Sequence, residues 1–303
     1  MNKHSSIQAS GSLLEKAAEK FDFAAALRGI ASEQPIIAPA VNGHVPMAEV
    51  FDTPAAAPAS GRHGDIDRAR LAEAGFAHPD DRPGALAEEF RIVKRQLLLR
   101  AAGQDGRVIE NGRMILVCSA KPNEGKTFCS INLALSMARE KDLDVVLVDC
   151  DFSKPELVET FGLEDGPGIM EAIADPSVDA ETCLIHTDIP NLSILPAGRH
   201  SNDATELLAS KRTSEVLDRL IAANPTRILI FDSPPALAAS PASGLAMHAG
   251  QAVMVVRADT TSEAELREAL GLLNGCKDIQ MLLNAVTFTP NGKRFSTYYG
   301  YGD

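Results

Sequence analysis

From about residue 85 the chain alternates short apolar runs with stretches of helical periodicity. The runs at 114–118, 145–149, 192–195, 228–232, 252–256 and 280–284 read as strands, and 86–102, 127–139, 155–161, 204–223 and 262–276 read as helices. The strand runs are apolar without interruption rather than at every second position, the pattern of strands buried on both faces. Separated by helices, such strands predict an α/β fold: a doubly wound, mainly parallel sheet with helices on both faces.

Upstream the pattern weakens. Residues 12–28 predict an amphipathic helix, with Ser12 and Glu15 in a capping-box arrangement and Leu13, Leu14, Ala17, Ala18, Phe21 and Leu27 along one stripe. It reads either as a helix packed on its own domain or as a docking helix for a partner. Residues 31–60 hold five prolines and eight alanines but no lysine or arginine, so no regular element is expected there. The predicted organisation is an N-terminal helical segment (1–28), a flexible linker (29–84), one folded domain (85–287) and a polar, glycine-containing tail (288–303).

Composition narrows the function classes. Apolar residues at 45% with charged residues at 23% describe a globular protein, and a net charge of −12 speaks against wrapping nucleic acid through phosphate contacts. No stretch approaches the roughly 20 apolar residues of a membrane span, and residues 1–12 lack a signal-peptide pattern, so a cytoplasmic location is expected. Cys118, Cys129, Cys150, Cys183 and Cys276 form no metal-binding spacing and read as buried reduced thiols.

The strongest local chemistry is Ser119-Ala120-Lys121-Pro122-Asn123-Glu124-Gly125-Lys126-Thr127, directly after a predicted strand and opening a predicted helix. In that context backbone N–H groups and a helix N-terminus converge on phosphates. Lys126 is placed to reach the β- and γ-phosphates of ATP, and the Thr127 hydroxyl to bind Mg²⁺. Ala120 stands where the strict pattern has glycine, whereas Asn123 tolerates a left-handed backbone and can replace one. Two further strands end in acids: Asp149 and Asp151 after one, Asp232 after the other. At the carboxyl ends of a doubly wound sheet these would converge on the same loop, and Mg²⁺ takes carboxylate oxygens together with phosphate oxygens and water.

The loop PNEGKTF, the strands VVLVDCDFSKP and ILIFDSPP, the phrase LPAG…ATELLAS, the strand ending LLN and the tail YYGYGD together resemble the bacterial tyrosine autokinases of exopolysaccharide and capsule synthesis, closest to their exosortase-associated group. The resemblance implies a P-loop NTPase fold of the Min/Par kind and ATP with Mg²⁺ as cofactors. It implies that Pro122, Asn123, Glu124, Gly125, Lys126, Thr127 and Phe128 hold the phosphates, and that Asn284 contacts the adenine. Thr127, Asp151 and Asp232 would hold the metal, and Asp149 would be the base toward the incoming tyrosine. The acceptors would be Tyr298, Tyr299 and Tyr301, which are all the tyrosines of the chain and lie in its last six residues. Glu88, Arg91 and Lys94 stand where the family carries its oligomer-contact motif, with lysine in place of the final arginine. The implied partners are a separate inner-membrane polysaccharide co-polymerase that recruits and activates the protein, further copies of the chain in a homo-oligomer such as a ring, and a tyrosine phosphatase. No nucleic-acid partner is expected. A Min/Par-type positioning ATPase, for which Lys121 would be the signature lysine, and a nucleotide-gated scaffold are the alternative functions.

Overall fold

The structure, a computed structural model, describes residues 61–77, 84–103, 109–201, 203–238 and 240–286. The helix expected at 12–28 and the tail with Tyr298, Tyr299 and Tyr301 lie outside the described residues. In chain order the elements are β1 (Arg62–Gly64), α1 (Arg68–Glu73), α2 (Ala85–Ala101), β2 (Met114–Ser119), α3 (Lys126–Ala138), β3 (Asp144–Asp149), α4 (Leu157–Phe161), α5 (Ile169–Ala174), α6 (Ala180–Cys183), β4 (Ile185–Thr187), β5 (Leu192–Leu195), α7 (Ala204–Leu208), α8 (Lys211–Ala223), β6 (Arg227–Asp232), α9 (Pro241–Ala246), β7 (Gln251–Arg257), α10 (Glu263–Leu272) and β8 (Asp278–Asn284).

The strands form one sheet in the order β1-β4-β5-β3-β6-β2-β7-β8, and every neighbouring pair is parallel except β4–β5. Its central strands are buried on both faces, as their uninterrupted apolar runs require. In β2, Ile115 and Val117 enter one core and Met114, Leu116 and Cys118 the other, so successive side chains divide between the two helical layers. The core on the Ile115 side holds α3, in which every residue from Cys129 to Ala138 is buried. All six predicted strands are present. The two unpredicted ones, β1 and β4, are three residues each, too short to carry a period. The five cysteines are free and buried, and burial pushes the Cys118 and Cys129 thiols up to about 12.

Three expectations need correction. The helix expected across 204–223 is broken in two, because the Ser210 side chain accepts the Thr213 N–H and starts α8 afresh. Residues 61–77, read as part of the linker, instead pack on the domain. Their strand β1 pairs with β4, the Arg62 guanidinium donates to the carbonyls of Glu164 and Asp165, and Leu71 is fully buried. The third concerns α2. Glu88 and Arg91 pair with each other at 3.2 Å on its exposed side, but Lys94 turns inward. The Lys94 ammonium donates to the Ser136 carbonyl at 2.8 Å and pairs with Glu140 at 2.6 Å, so it is engaged within the chain rather than on the exposed side with Glu88 and Arg91.

Candidate nucleotide site

The phosphate loop runs from the end of β2 to the start of α3, and its shape depends on two residues with positive φ. Asn123 sits at 63° and Gly125 at 94°, so asparagine takes a left-handed position as its side chain permits. Ala120, in place of the usual glycine, keeps negative φ; its methyl is buried in the core and its carbonyl accepts the Leu237 N–H.

The loop is held from behind by residues far away in sequence. Glu124 is 1% exposed: one carboxylate oxygen accepts the Lys121 N–H at 2.8 Å and the other accepts the Thr261 hydroxyl. Both carboxylate oxygens are thus engaged within the chain, and Glu124 serves the loop as a brace. Arg257 donates to the Asn123 carbonyl at 3.2 Å, and Asn284 donates its amide to the Glu124 carbonyl at 2.9 Å. Asn284 thus stands at the loop, at the end of the edge strand β8. Lys121 is occupied within the chain: its ammonium pairs with Glu265 at 2.9 Å and holds that carboxyl down at about 2. Neither Thr261, Arg257 nor Glu265 had a signal in the sequence, because they lie more than 130 residues from the loop.

A β-carbon on Gly125 would collide with the Asn284 amide, and φ there is in the left-handed region. Gly125→Ala is expected to cost about 1–3 kcal/mol in stability through strain. It should also free Asn284 from the loop, which nucleotide titration and thermal melting of the variant would check.

The charged groups converge at the ends of β2, β3 and β6. The Lys126 ammonium pairs with Asp151 at 2.9 Å and lies 3.4 Å from the Thr127 hydroxyl. Asp232 accepts the Ser130 hydroxyl at 2.8 Å; Ser130 lies one turn beyond Lys126, a spacing from which its approach to the site could have been read. Asp149 and Asp232 are register partners on adjacent strands. Burial pushes Asp149 up to about 7, with the Asp232 charge adding to it, while the backbone N–H groups of Leu157 and Asp151 oppose the rise; the Glu156 N–H also donates to the carboxylate. Burial likewise raises Asp232 to about 6, against the pull of Lys126. Asp149 therefore also anchors the 150–157 loop, a role its strand-end position did not announce.

Among the described residues no three His, Cys, Asp or Glu side chains are arranged to hold a metal by themselves. Mg²⁺ draws most of its ligands from phosphate and water and needs one or two carboxylates and a hydroxyl from the protein, and Thr127, Asp151 and Asp232 are the groups here that could supply them. A divalent cation would also favour the charged forms of Asp149 and Asp232, which burial disfavours.

One expected contact falls to the backbone alone. The Phe128 ring stacks on Phe76 at 5.3 Å between centroids, so only its backbone is left for phosphate.

A sequence profile described as an AAA domain matches residues 112–285, more than half of the chain. The tyrosine-protein kinase YwqD of Bacillus subtilis is 31% identical over 216 residues, which is 71% of this chain and 85% of that one. The tyrosine-protein kinase wzc of Salmonella typhimurium is 28% identical over 190 residues, covering 62% of this chain but only 26% of its own length. Among solved structures, the kinase domain of the Escherichia coli tyrosine kinase ETK superposes with a TM-score of 0.60 at 21% identity, over 80% of this chain and 88% of that one; this likeness speaks for the fold. With its sheet order, phosphate loop and strand-end acids, the chain belongs to the family of bacterial tyrosine autokinases.

Proposed function

We propose that the protein is an ATP- and Mg²⁺-dependent protein tyrosine kinase that phosphorylates its own tyrosine cluster and regulates exopolysaccharide synthesis, chain length or export. The observation that carries the reading is the meeting of Lys126, Thr127, Asp151 and Asp232 at one end of the sheet, in a chain whose only tyrosines are Tyr298, Tyr299 and Tyr301. Phosphoryl transfer asks mainly for positioned phosphates, neutralised charge and one oriented nucleophile. Lys126 and the phosphate loop bind and place the phosphates, Asp151 and Asp232 hold the metal with Thr127, and Asp149 accepts the phenol proton. A tyrosine with ordinary pKa near 10 gains from a carboxylate whose own affinity for protons is raised by burial. Asn284 stands for the adenine side of the site.

The test is incubation of the full chain with Mg·ATP followed by mass spectrometry. Phosphate on Tyr298, Tyr299 or Tyr301, absent after all three are changed to phenylalanine, supports the reading. ADP production without phosphotyrosine would overturn it in favour of a positioning ATPase.

Among the described residues no helix is long and apolar enough to cross a membrane. Recruitment to the inner membrane is assigned, with the family resemblance, to a separate polysaccharide co-polymerase that contacts residues 1–28 and activates the kinase, with a tyrosine phosphatase reversing the modification. The exosortase-associated group is the subfamily proposed. Further copies of the chain, arranged as a homo-oligomer through the Glu88 and Arg91 face, would receive each other's tails. Each phosphate adds about −1.5 to −2 charges beside Lys293 and Arg294, so phosphorylation is expected to loosen that oligomer. Light scattering before and after ATP reads the mass; an unchanged mass with fully phosphorylated tails would sink the release model.

A further inference from the structure

The segment of residues 61–77 ends against α3, the helix that opens with Lys126 and Thr127. It is tied down along its length. β1 pairs with β4, the Ile66 N–H donates to Asp188 at 2.9 Å, the Asp67 N–H donates to the Phe161 carbonyl at 2.9 Å, and Arg70 pairs with Glu159 at 2.7 Å. At the end of α1 the chain turns in a Schellman arrangement. Gly75, at φ 79°, sends its N–H to the Ala72 carbonyl, and Phe76 sends its own to Leu71. That turn aims Phe76 at α3.

Two contacts follow. The Phe76 ring stacks on Phe128, the residue after Thr127, with 25° between the planes. The Ala77 N–H donates at 2.8 Å to the Asn132 side-chain oxygen. Asn132 is 1% exposed, and its amide nitrogen donates at 2.8 Å to the Phe128 carbonyl in the first turn of the same helix. A buried amide thus has one end committed to the phosphate-binding turn and the other satisfied only while the segment is docked. Removing the segment would strip a ring from Phe128 and take the Ala77 donor from the Asn132 oxygen, which bears directly on the turn that presents Lys126 and Thr127.

We propose that residues 61–77 are a strap whose end, Phe76 and Ala77, positions the first turn of α3, so that docking of the strap and binding of nucleotide stabilise each other. The proposal rests on the nucleotide site described above but not on the identity of the phosphate acceptor. Phe76, Ala77 and Asn132 are positioning residues: they act through Phe128 and touch no phosphate.

Coupling of this kind is reciprocal, and the test uses both directions on the full chain. First, a fluorescent ATP analogue is titrated with Mg²⁺ into the wild type, Phe76→Ala, Phe76→Leu and Ala77→Pro. Phe76→Ala and Ala77→Pro are expected to weaken binding by about 5-fold or more, the usual lower range for coupled sites, with Phe76→Leu restoring most of it. Second, amide exchange is followed without nucleotide, where residues 126–130 should exchange faster in Phe76→Ala, and then with Mg·ATP, which should slow exchange across 61–77 in the wild type. A strap that only adds stability would lower the melting temperature while leaving nucleotide affinity and both exchange patterns unchanged, and that result overturns the proposal. Failure of the wild type to bind the analogue at all would instead overturn the nucleotide site on which it rests.

Discussion

Lys126→Met is expected to reduce tyrosine autophosphorylation by about 10³-fold or more, the scale on which fixed positive charge stabilises a transferring phosphoryl group. The residue sits at the entrance to α3 with its ammonium at 2.9 Å from Asp151, and the pair is largely buried, at 14% and 10% side-chain exposure. Methionine keeps the length of the side chain but removes the only cation paired with these acids among the described contacts. Asp151 loses its ion pair, but Lys126 takes no part in either apolar core, so the variant is expected to fold, with its Mg·ATP affinity reduced. Phosphotyrosine detection after ATP incubation, alongside a thermal melt, checks both statements. Autophosphorylation equal to the wild type would remove Lys126 from the site.

The second large effect belongs to Asp149. Asp149→Asn is expected to lower the rate by about 10²–10⁴-fold, the usual worth of a positioned proton acceptor. It should also disturb the loop that follows β3. Two backbone N–H groups, of Glu156 and Leu157, point at one carboxylate oxygen, and that of Asp151 points at the other. An asparagine can keep its oxygen toward only one side, so its NH₂ must face a donor on the other. The pH dependence separates this structural cost from the loss of a titrating group. The Asp149 carboxyl is raised to about 7 by burial, and next by Asp232, so the folded protein holds that proton more tightly than the unfolded chain, whose carboxyl titrates near 4. The stabilisation from this proton is fully present below the unfolded value and is lost as pH rises through about 7. Asparagine has no such proton. In nucleotide-free protein the stability advantage of wild type over Asp149→Asn should therefore grow as pH falls from 8 to 5. Denaturant melts of both proteins across that range would show it, and a difference independent of pH would mean that Asp149 titrates like an exposed acid.

Much of the architecture was legible because it is local. Uninterrupted apolar runs such as 145–149 and 228–232 can only be satisfied by a sheet covered on both sides, and the acids closing those runs fall at the same end of the sheet whatever the loops do. Lys126 and Thr127 were legible for a similar reason: a phosphate loop is made by residues adjacent in the chain, and Asn123 adopts its left-handed backbone through its own side chain. The linker was misjudged because a three-residue strand and a six-residue helix carry too little periodicity to be seen beside a proline- and alanine-rich stretch.

The sequence by itself determined the fold class, the phosphate chemistry and the place of every tyrosine, since each depends on residue type and short spacing. Only the tertiary structure decided what surrounds them. It turned Lys94 into the protein, occupied Lys121 with Glu265, braced Glu124 with Thr261, and seated Phe76 on Phe128. Most of these pairings join segments dozens to more than a hundred residues apart. Long-range packing sets them, and it leaves no period in the chain to read.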